Sequence, residues 1–464
     1  MQFELTNKYL HKLRKAIKGN DEKRVMELLK ELHPPDIAEI FNDLTPEEAT
    51  YLYKHLEEDV VGKVLIEMDE DTRETFLASL TSKEIAEQFI DNMDSDDAAD
   101  VLGELSDAQQ DEVLSHVEDS EQASDIVDLL NYDENTAGGL MAKELIRVHE
   151  KSNVFQCVRE IRTQAEEVGT IYTIYVVDDD DKLLGLLSLK KLLTTPLRTK
   201  VKDVYNPDIK FVKTNTDAEE VSKIMEKYNL VVLPVVDGLG RLVGRITIDD
   251  VVDVIREEET EDAQKMAGMQ ALEEPYSQTS VWGMLKKRAG WLVILFIGES
   301  ITATAMGYFE DQIAKAVVLA LFVPLIISSG GNTGSQATTL VIRALALGEI
   351  TVRDWWSIIR KELFVGLMLG LILGVIGFLR VAVWSAFIDV YGPHWMYIGF
   401  TVGISLIGVV LWGNIVGSFF PILLKRAGLD PAVSSAPFVA TLVDITGLVI
   451  YFTVASIILG GILL

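Results

Sequence analysis

Two patterns of apolar residues divide this chain. In the first 135 residues they recur at helical spacing, as in Ile37, Ile40, Phe41 and Leu44, and again in Val101, Leu102 and Leu105. Thr45-Pro46-Glu47-Glu48 and Thr81-Ser82-Lys83-Glu84 read as helix starts, a hydroxyl side chain followed three residues later by an acid. Pro35-Asp36-Ile37-Ala38, Glu84-Ile85-Ala86 and Asp96-Asp97-Ala98-Ala99 resemble one another. That likeness predicts an all-α superhelix of loose repeats over residues 1–135.

The period changes over residues 136–253. Tyr172–Asp178 and Leu230–Asp237 are β-rich runs that end in acidic turns. Each is followed by a second strand and a helix, Leu184–Leu193 and Val243–Val252, and the two copies align at an offset of 59 residues (Val176 to Val235). This repeat resembles a tandem pair of CBS domains, an α+β module that commonly binds adenine nucleotides. The second copy carries Thr247 and Asp250 in the Thr-x-x-Asp pattern that holds a ribose and phosphate in that family. The first copy has Ser188 and Lys191 there, which puts nucleotide binding at its site in doubt. A pure dimerisation scaffold is the competing reading.

A helix is predicted from Ile248 to about Met269, within a connecting segment 248–283. Asp250, Asp253, Glu257 and Glu261 step along one of its faces, and Val251, Val254, Ile255 and Met266 form an apolar stripe. Then the periodic pattern gives way to five long apolar stretches in residues 284–464: Trp291–Tyr308, Ala316–Leu340, Leu363–Ile388, Met396–Leu424 and Pro437–Leu464. Each approaches or exceeds the ~20 residues that cross a bilayer as a helix. Lys286, Lys287, Arg288, Arg343, Arg353, Arg360, Lys361, Lys425 and Arg426 fall on one side. Glu310, Asp311, Lys315 and Asp389 fall on the other. The basic side faces the cytoplasm by the positive-inside rule, so the N-terminus is expected inside and the C-terminus outside a cell membrane. Arg380 is the exception, expected to snorkel to the outer interface.

Charge sharpens the division. The 464 residues carry a net charge of −29. From Met284 onward, 11 Lys/Arg and 9 Asp/Glu leave a net +2, so residues 1–283 hold −31. Asp91 to Glu134 contains sixteen acids and no Lys or Arg. Such a surface excludes nucleic acid as a partner and attracts cations. The single cysteine, Cys157, and six scattered histidines offer no zinc or copper site. Carboxylate oxygens are abundant, and they suit Mg²⁺ or Ca²⁺. The N-terminal segment is amphipathic, without the apolar core of a signal peptide.

Two motifs carry the chemistry. Asp444 lies in the middle of the fifth apolar stretch, where a carboxylate costs at least about 2.5–3.5 kcal/mol. Ala440 and Gly447 share its helical face and Thr441 lies one turn before it, so small residues leave room beside the acid. The second stretch contains Pro324 and then Gly330-Gly331-Asn332-Thr333-Gly334-Ser335-Gln336, which predicts a broken helix with freed carbonyls. Glycine-mediated packing is the alternative there. Glu299, in the first stretch, is expected to make a helix–helix hydrogen bond rather than line a path.

The whole order resembles the MgtE family of magnesium channels: acidic helical domain, CBS pair, acidic connecting helix, and five spans bearing Gly-Gly-Asn-x-Gly-x-Gln and Pro-Phe-Val-Ala-Thr-Leu-Val-Asp-x-x-Gly. The resemblance implies a homodimer in membrane lipid, with a pore on the two-fold axis in which Asp444 holds hydrated Mg²⁺. Asn332 and carbonyls near Ala440 and Gly447 would help line it, with Thr441 alongside. It implies that cytosolic Mg²⁺ closes the gate by bridging Asp96 and Asp100 of the helical domain to Asp250, Asp253, Glu258, Glu261 and Asp262 of the connecting helix, with Glu257 on the same acidic surface. ATP at the CBS pair, through Thr247 and Asp250, is the weaker expectation. No enzyme chemistry is expected. An aspartyl protease needs two carboxylates sharing a proton, and the predicted spans centre no second Asp. The remaining alternatives are a nucleotide sensor on a membrane anchor, and transport of Mn²⁺, Co²⁺ or Ni²⁺, which the ligand chemistry does not separate from Mg²⁺.

Overall fold

The computed structural model describes residues 3–165, 168–272, 276, 279–387 and 391–463. Ile388, Asp389 and Leu464, used above in the apolar stretches and the charge comparison, lie outside the described residues. The chain forms two compact units, one ending at Ile255 and one beginning at Arg256.

A run of short helices opens the first unit: α1 (Asn7–Lys18), α2 (Glu22–Leu29), α3 (Pro34–Asn42), α4 (Pro46–Tyr53), α5 (Glu58–Ile66), α6 (Glu70–Leu77), α7 (Ser82–Gln88), α8 (Ser95–Gly103), α9 (Asp107–Leu114) and α10 (Ser120–Leu129). Most are near the length that is marginal in isolation, so packing and caps hold them. Thr45 and Thr81 each close a capping box, and in the second the Thr81 N–H donates to Glu84 Oε2 at 3.0 Å while Glu84 N–H donates back to Thr81 Oγ1 at 3.2 Å. The three similar pieces fall on the first turns of α3, α7 and α8, and Ala38, Ala86 and Ala98 are buried in each. Phe76 centres an aromatic cluster, 5.9 Å from Phe41, 5.4 Å from Tyr53 and 5.9 Å from Phe89 between ring centroids.

The 59-residue repeat becomes two three-stranded sheets. In the first, β1 (Arg147–His149) pairs parallel to β2 (Ile174–Val177), which pairs antiparallel to β3 (Leu183–Leu187). In the second, β4 (Val212–Lys213), β5 (Val232–Val236) and β6 (Leu242–Thr247) repeat the order. Register shifts at Val176/Val177 in one and Val235/Val236 in the other, corresponding positions of the repeat. Helices α11 (Val154–Gln164) and α12 (Leu189–Thr194) belong to the first copy, and α13 (Ala218–Tyr228) and the start of α14 (Ile248–Met266) to the second. The copies differ in their cores. The first has its own, around Val148, Cys157, Ile174 and Val176. The second shares one continuous apolar core with the helical region, through Met141, Met225, Leu233, Ile246 and Val251.

Among the described residues, the second unit holds five helices long and apolar enough to cross a membrane. They are α15 (Val281–Tyr308), α17 (Val323–Ala346), α18 (Trp355–Phe387), α19 (Trp395–Arg426) and α20 (Ala436–Leu459), with a short α16 (Glu310–Lys315) after the first. The expected break in the second span is absent. Helix α17 runs unbroken through Gly330, Gly331 and Gly334, and Pro324 sits in its first turn, where a missing N–H needs no partner. The irregular backbone is a 3₁₀ stretch ahead of it, Val317–Phe322. A helical glycine costs about 1 kcal/mol, whereas unmade backbone hydrogen bonds in lipid cost several, so the helix continues. The glycines serve packing instead: α18 buries Gly366, Gly370 and Gly374 at four-residue spacing, and a Cβ at Gly374 would lie 2.7 Å from the Gly403 carbonyl oxygen of α19. Tyr451 of α20 donates to the Leu319 carbonyl at 2.9 Å. Arg380 is exposed, its guanidinium 5.4 Å from the Phe322 ring centre and 5.7 Å from that of Trp384.

Phe76→Ala is expected to destabilise the first unit by about 3–5 kcal/mol. Phe211→Ala, at an exposed site, should change it by less than about 0.5 kcal/mol. Denaturant unfolding followed by circular dichroism compares the two.

Candidate functional site

In the membrane-length helices the candidate site is built on α17 and α20. Asp444 is half-buried on α20, and no hydrogen bond or ion pair engages its carboxylate among the described residues. It lies over Gly331 of α17: a Cβ there would sit 3.2 Å from Asp444 Oδ1 and 3.4 Å from Ala440 Cβ. Glycine at 331 therefore makes the space that the carboxylate occupies, and Ala440 borders it. Asn332 is exposed on α17, its amide donating to Ser328 Oγ at 3.4 Å. Thr441 donates to the Pro437 carbonyl at 3.0 Å, and Ser335 to the Ala436 carbonyl at 3.0 Å, so both hydroxyls are spent on backbone. Gly447 is buried against Val409 of α19, away from open space. The expected helix–helix hydrogen bond of Glu299 is not present; its carboxylate is exposed and unpaired among the described residues.

The sequence reading passed over an acid in the third membrane-length helix. Glu362 stands in α18 just before the predicted start of the third span, and buried Asn414 of α19 donates to its Oε2 at 3.3 Å and to its carbonyl at 3.4 Å. The signal was an acid at the margin of an apolar run, taken as lying outside it.

In the first unit the acids of α8 converge on the first turn of α14. Asp96, Asp97 and Asp100 all lie close enough to Asp250 for its charge to act on them. Burial, then Asp97 and Asp250, pushes Asp96 well above the usual carboxylate range. Burial, then Asp250 and Asp94, raises Asp97 to about 7. Burial, then Asp250 and Glu134, raises Asp100 to about 7. Asp250 is raised to about 6 by burial, although Thr247 opposes this by donating its hydroxyl at 2.7 Å and its N–H at 3.4 Å. The Thr-x-x-Asp pair thus bonds to itself as a helix start. Asp253 reaches a different partner, adding to the burial that raises Glu67 at the end of α5.

A tighter group lies beside these. One oxygen each from Asp94, Asp96 and Glu144 falls within 4.8 Å of the others, a spacing that would admit a cation. Glu144 is oriented by Ser95, whose N–H and hydroxyl donate at 3.0 and 2.9 Å. Arg245 donates to the Glu144 carbonyl and stands 3.5 Å from Asp94 Oδ2. Asp94 and Asp97 were legible only as members of the acidic run. Glu144 gave no signal, because it enters from the first CBS copy.

Glu257, Glu258, Glu261 and Asp262 continue down α14 into the second unit. There Lys265, unremarked in the sequence, bonds to Glu261 and, at 2.8 Å, to Asp430 ahead of α20. Trp291 of α15 donates to Ser435 Oγ at 3.0 Å nearby.

Known proteins resemble this chain in sequence. Residues 323–454 match the family described as MgtE, divalent cation transporter; residues 32–135 match the MgtE intracellular N domain; residues 137–197 and 201–257 each match the CBS domain. A magnesium transporter MgtE from Thermus thermophilus is 36% identical over 97% of this chain and 98% of its own length. One from Enterococcus faecalis is 32% identical, covering 71% of each chain. Among solved structures, the cytosolic domain of the Mg²⁺ channel MgtE in complex with ATP is 34% identical and covers 53% of this chain and 99% of its own, with a TM-score of 0.49. The soluble part of a magnesium transporter is 28% identical over 54% of this chain and 98% of its own, at 0.48.

The raised carboxyls set a pH dependence. Their folded values lie above the unfolded ones near 4, so the native state binds more protons between about pH 4 and 7 and loses stability as pH rises through that window. Without divalent cations, the first unit should melt at a lower temperature at pH 8 than at pH 5. Added Mg²⁺ should raise the melting temperature more at pH 8, where all these acids are ionised. Differential scanning fluorimetry with EDTA or Mg²⁺ reads both.

Proposed function

The chain belongs to the MgtE family, and on that premise we propose that it is a magnesium transporter whose cation path passes Asp444 and whose acidic cytoplasmic face senses the transported ion. One observation carries the reading: an unpaired carboxylate on α20, seated over Gly331 of α17, inside helices of membrane length. An ionised group at that depth is costly unless it faces water or a counter-charge. A cation in an aqueous path supplies both.

Magnesium sheds its waters reluctantly and usually keeps several. A pore for it therefore needs negative charge and outer-shell acceptors, with binding weak enough for release. In a homodimer the Asp444 of each subunit would flank one axis, and exposed Asn332 would orient waters. The N-terminus lies in the cytoplasm and the C-terminus outside, with the basic ends of the helices on the inner side.

Gating follows from the acids of α8 and α14. Asp96, Asp97, Asp100 and Asp250 repel one another when ionised, and Mg²⁺ bridging them favours their close arrangement. The ion biases the gate only by its difference in affinity between near and separated arrangements. Helix α14 carries the change toward the membrane helices, where Lys265 and Asp430 anchor its far end. ATP at the CBS pair is the second reading, and Thr247 and Asp250, the residues expected to hold it, bond to each other.

Asp444→Ala should abolish Mg²⁺ uptake in proteoliposomes while the protein still elutes as an assembled species; undiminished uptake would make the acid structural. Neutralising Asp250, Asp253 and Glu258 together should leave conduction open at internal Mg²⁺ concentrations that close the unmodified protein. Patch recordings with Mg²⁺ on the inner face test this, and unchanged closure rejects the sensing role.

A further inference from the structure

Polar side chains in the membrane-length helices mostly have partners. Ser300 donates to the Phe296 carbonyl, Thr304 to that of Ser300 and Thr446 to that of Leu442, and Glu362 accepts from Asn414. Besides Ser405 of α19, whose buried hydroxyl also has no partner among the described residues, three depart from this. Asp444 and Glu299 bear carboxylates with no hydrogen bond or ion pair among the described residues. Thr302, one turn beyond Glu299 on α15, is only 4% exposed, and its hydroxyl has no partner among the described residues.

These three share one level of the helix stack. Helices α15 and α20 run side by side in the same direction. Trp291 meets Ser435 at one end. Gly298 meets Thr441 further along, where a Cβ would come 2.6 Å from Thr441 Cγ2. At 1.5 Å of rise per residue, Glu299 and Asp444 then differ in depth by only about 3 Å, within reach of a glutamate side chain. Consistent with this, the charge of Glu299 bears on Asp444. Glu299 borders the face of α15 that packs on α20. The rest of the surrounding surface, Leu292, Val293, Phe296, Ile297 and Ile301, is exposed and apolar. Nothing on that surface compensates an ionised glutamate.

We propose that Glu299 is a second acid of the cation path, so that each subunit presents two carboxylates, Glu299 and Asp444, to the passing hydrated divalent cation. This rests on the reading of Asp444 as a pore residue. Two carboxylates on neighbouring helices raise the local negative potential and hold a +2 ion through its waters without a dry cage. The unspent hydroxyl of Thr302 lies one turn on along α15, buried in the helix stack beside the pair of acids. Glu299 acts on apparent affinity and on preference for divalent over monovalent cations, whereas Asp444 is needed for passage itself.

The test uses the full chain in proteoliposomes with a trapped Mg²⁺ indicator. Glu299→Gln should raise the half-saturating Mg²⁺ concentration roughly tenfold, the order expected for removing one nearby charge. It should also admit more Na⁺ relative to Mg²⁺, and Glu299→Asp should stay near the unmodified value. Because Cys157 is the single cysteine and is buried, Glu299→Cys can be labelled selectively. It should behave like Glu299→Gln until a sulfonate-bearing methanethiosulfonate restores the charge and the affinity. A neutral methyl reagent should not restore them, and Mg²⁺ should slow the labelling. Unchanged half-saturation in Glu299→Gln, or a thiol in Glu299→Cys that water-soluble reagents do not reach, overturns the proposal. If Glu299→Gln does not assemble, the thiol arm decides. Asp444→Asn runs alongside: uptake lost there, with Glu299→Gln unaltered, removes only the role of Glu299. Uptake retained in Asp444→Asn removes the pore reading itself.

Discussion

A carboxylate held without a hydrogen bond or counter-charge among the described residues is the constraint around which this molecule is arranged. Asp444 is the sharpest case. It lies close over Gly331, where a Cβ would come 3.2 Å from its carboxylate, and its helix is held by buried contacts such as Tyr451 to the Leu319 carbonyl. A methyl group at 331 would crowd the carboxylate, which would have to shift by a few tenths of an ångström. A nearby lysine or arginine would neutralise it. The structure does neither, although it pairs other charges with care, as Arg73 with Glu104 and Lys265 with Asp430.

The same physics appears outside the membrane-length helices with a different balance. On α8 and at the start of α14, desolvation and mutual repulsion raise the carboxyls toward neutrality. A proton, a bound divalent ion or separation would each relieve that repulsion. Helix α14 begins among those acids in the first unit; within the second unit Lys265 bonds to Asp430 in the loop before α20.

Much of this was legible from residues alone, where local chemistry and global packing agree. The caps at Thr45 and Thr81, the repeat linking Val176 to Val235, and the apolar runs of the membrane helices each follow from a period or a hydrogen bond a few residues long. Reading failed where local and environmental preferences oppose. Gly330-Gly331 reads as a helix breaker in water. Between helices in an apolar medium the backbone has no other partner, and α17 stays whole. Glu144 was invisible because its role depends on a long-range approach to Ser95 and Asp94, which no spacing encodes. Glu362 was lost at a boundary: a span cut at the first charge excludes any acid the helix carries inward.

The unequal cores of the two CBS copies have a consequence for how the repeat diverged. The first copy keeps most of its interior to itself and carries Lys191 at the position matching Asp250. The second shares its interior with the helices before it, and its final helix is the one that continues into the other unit. A substitution in that interior therefore acts on the helical region and on the second copy together.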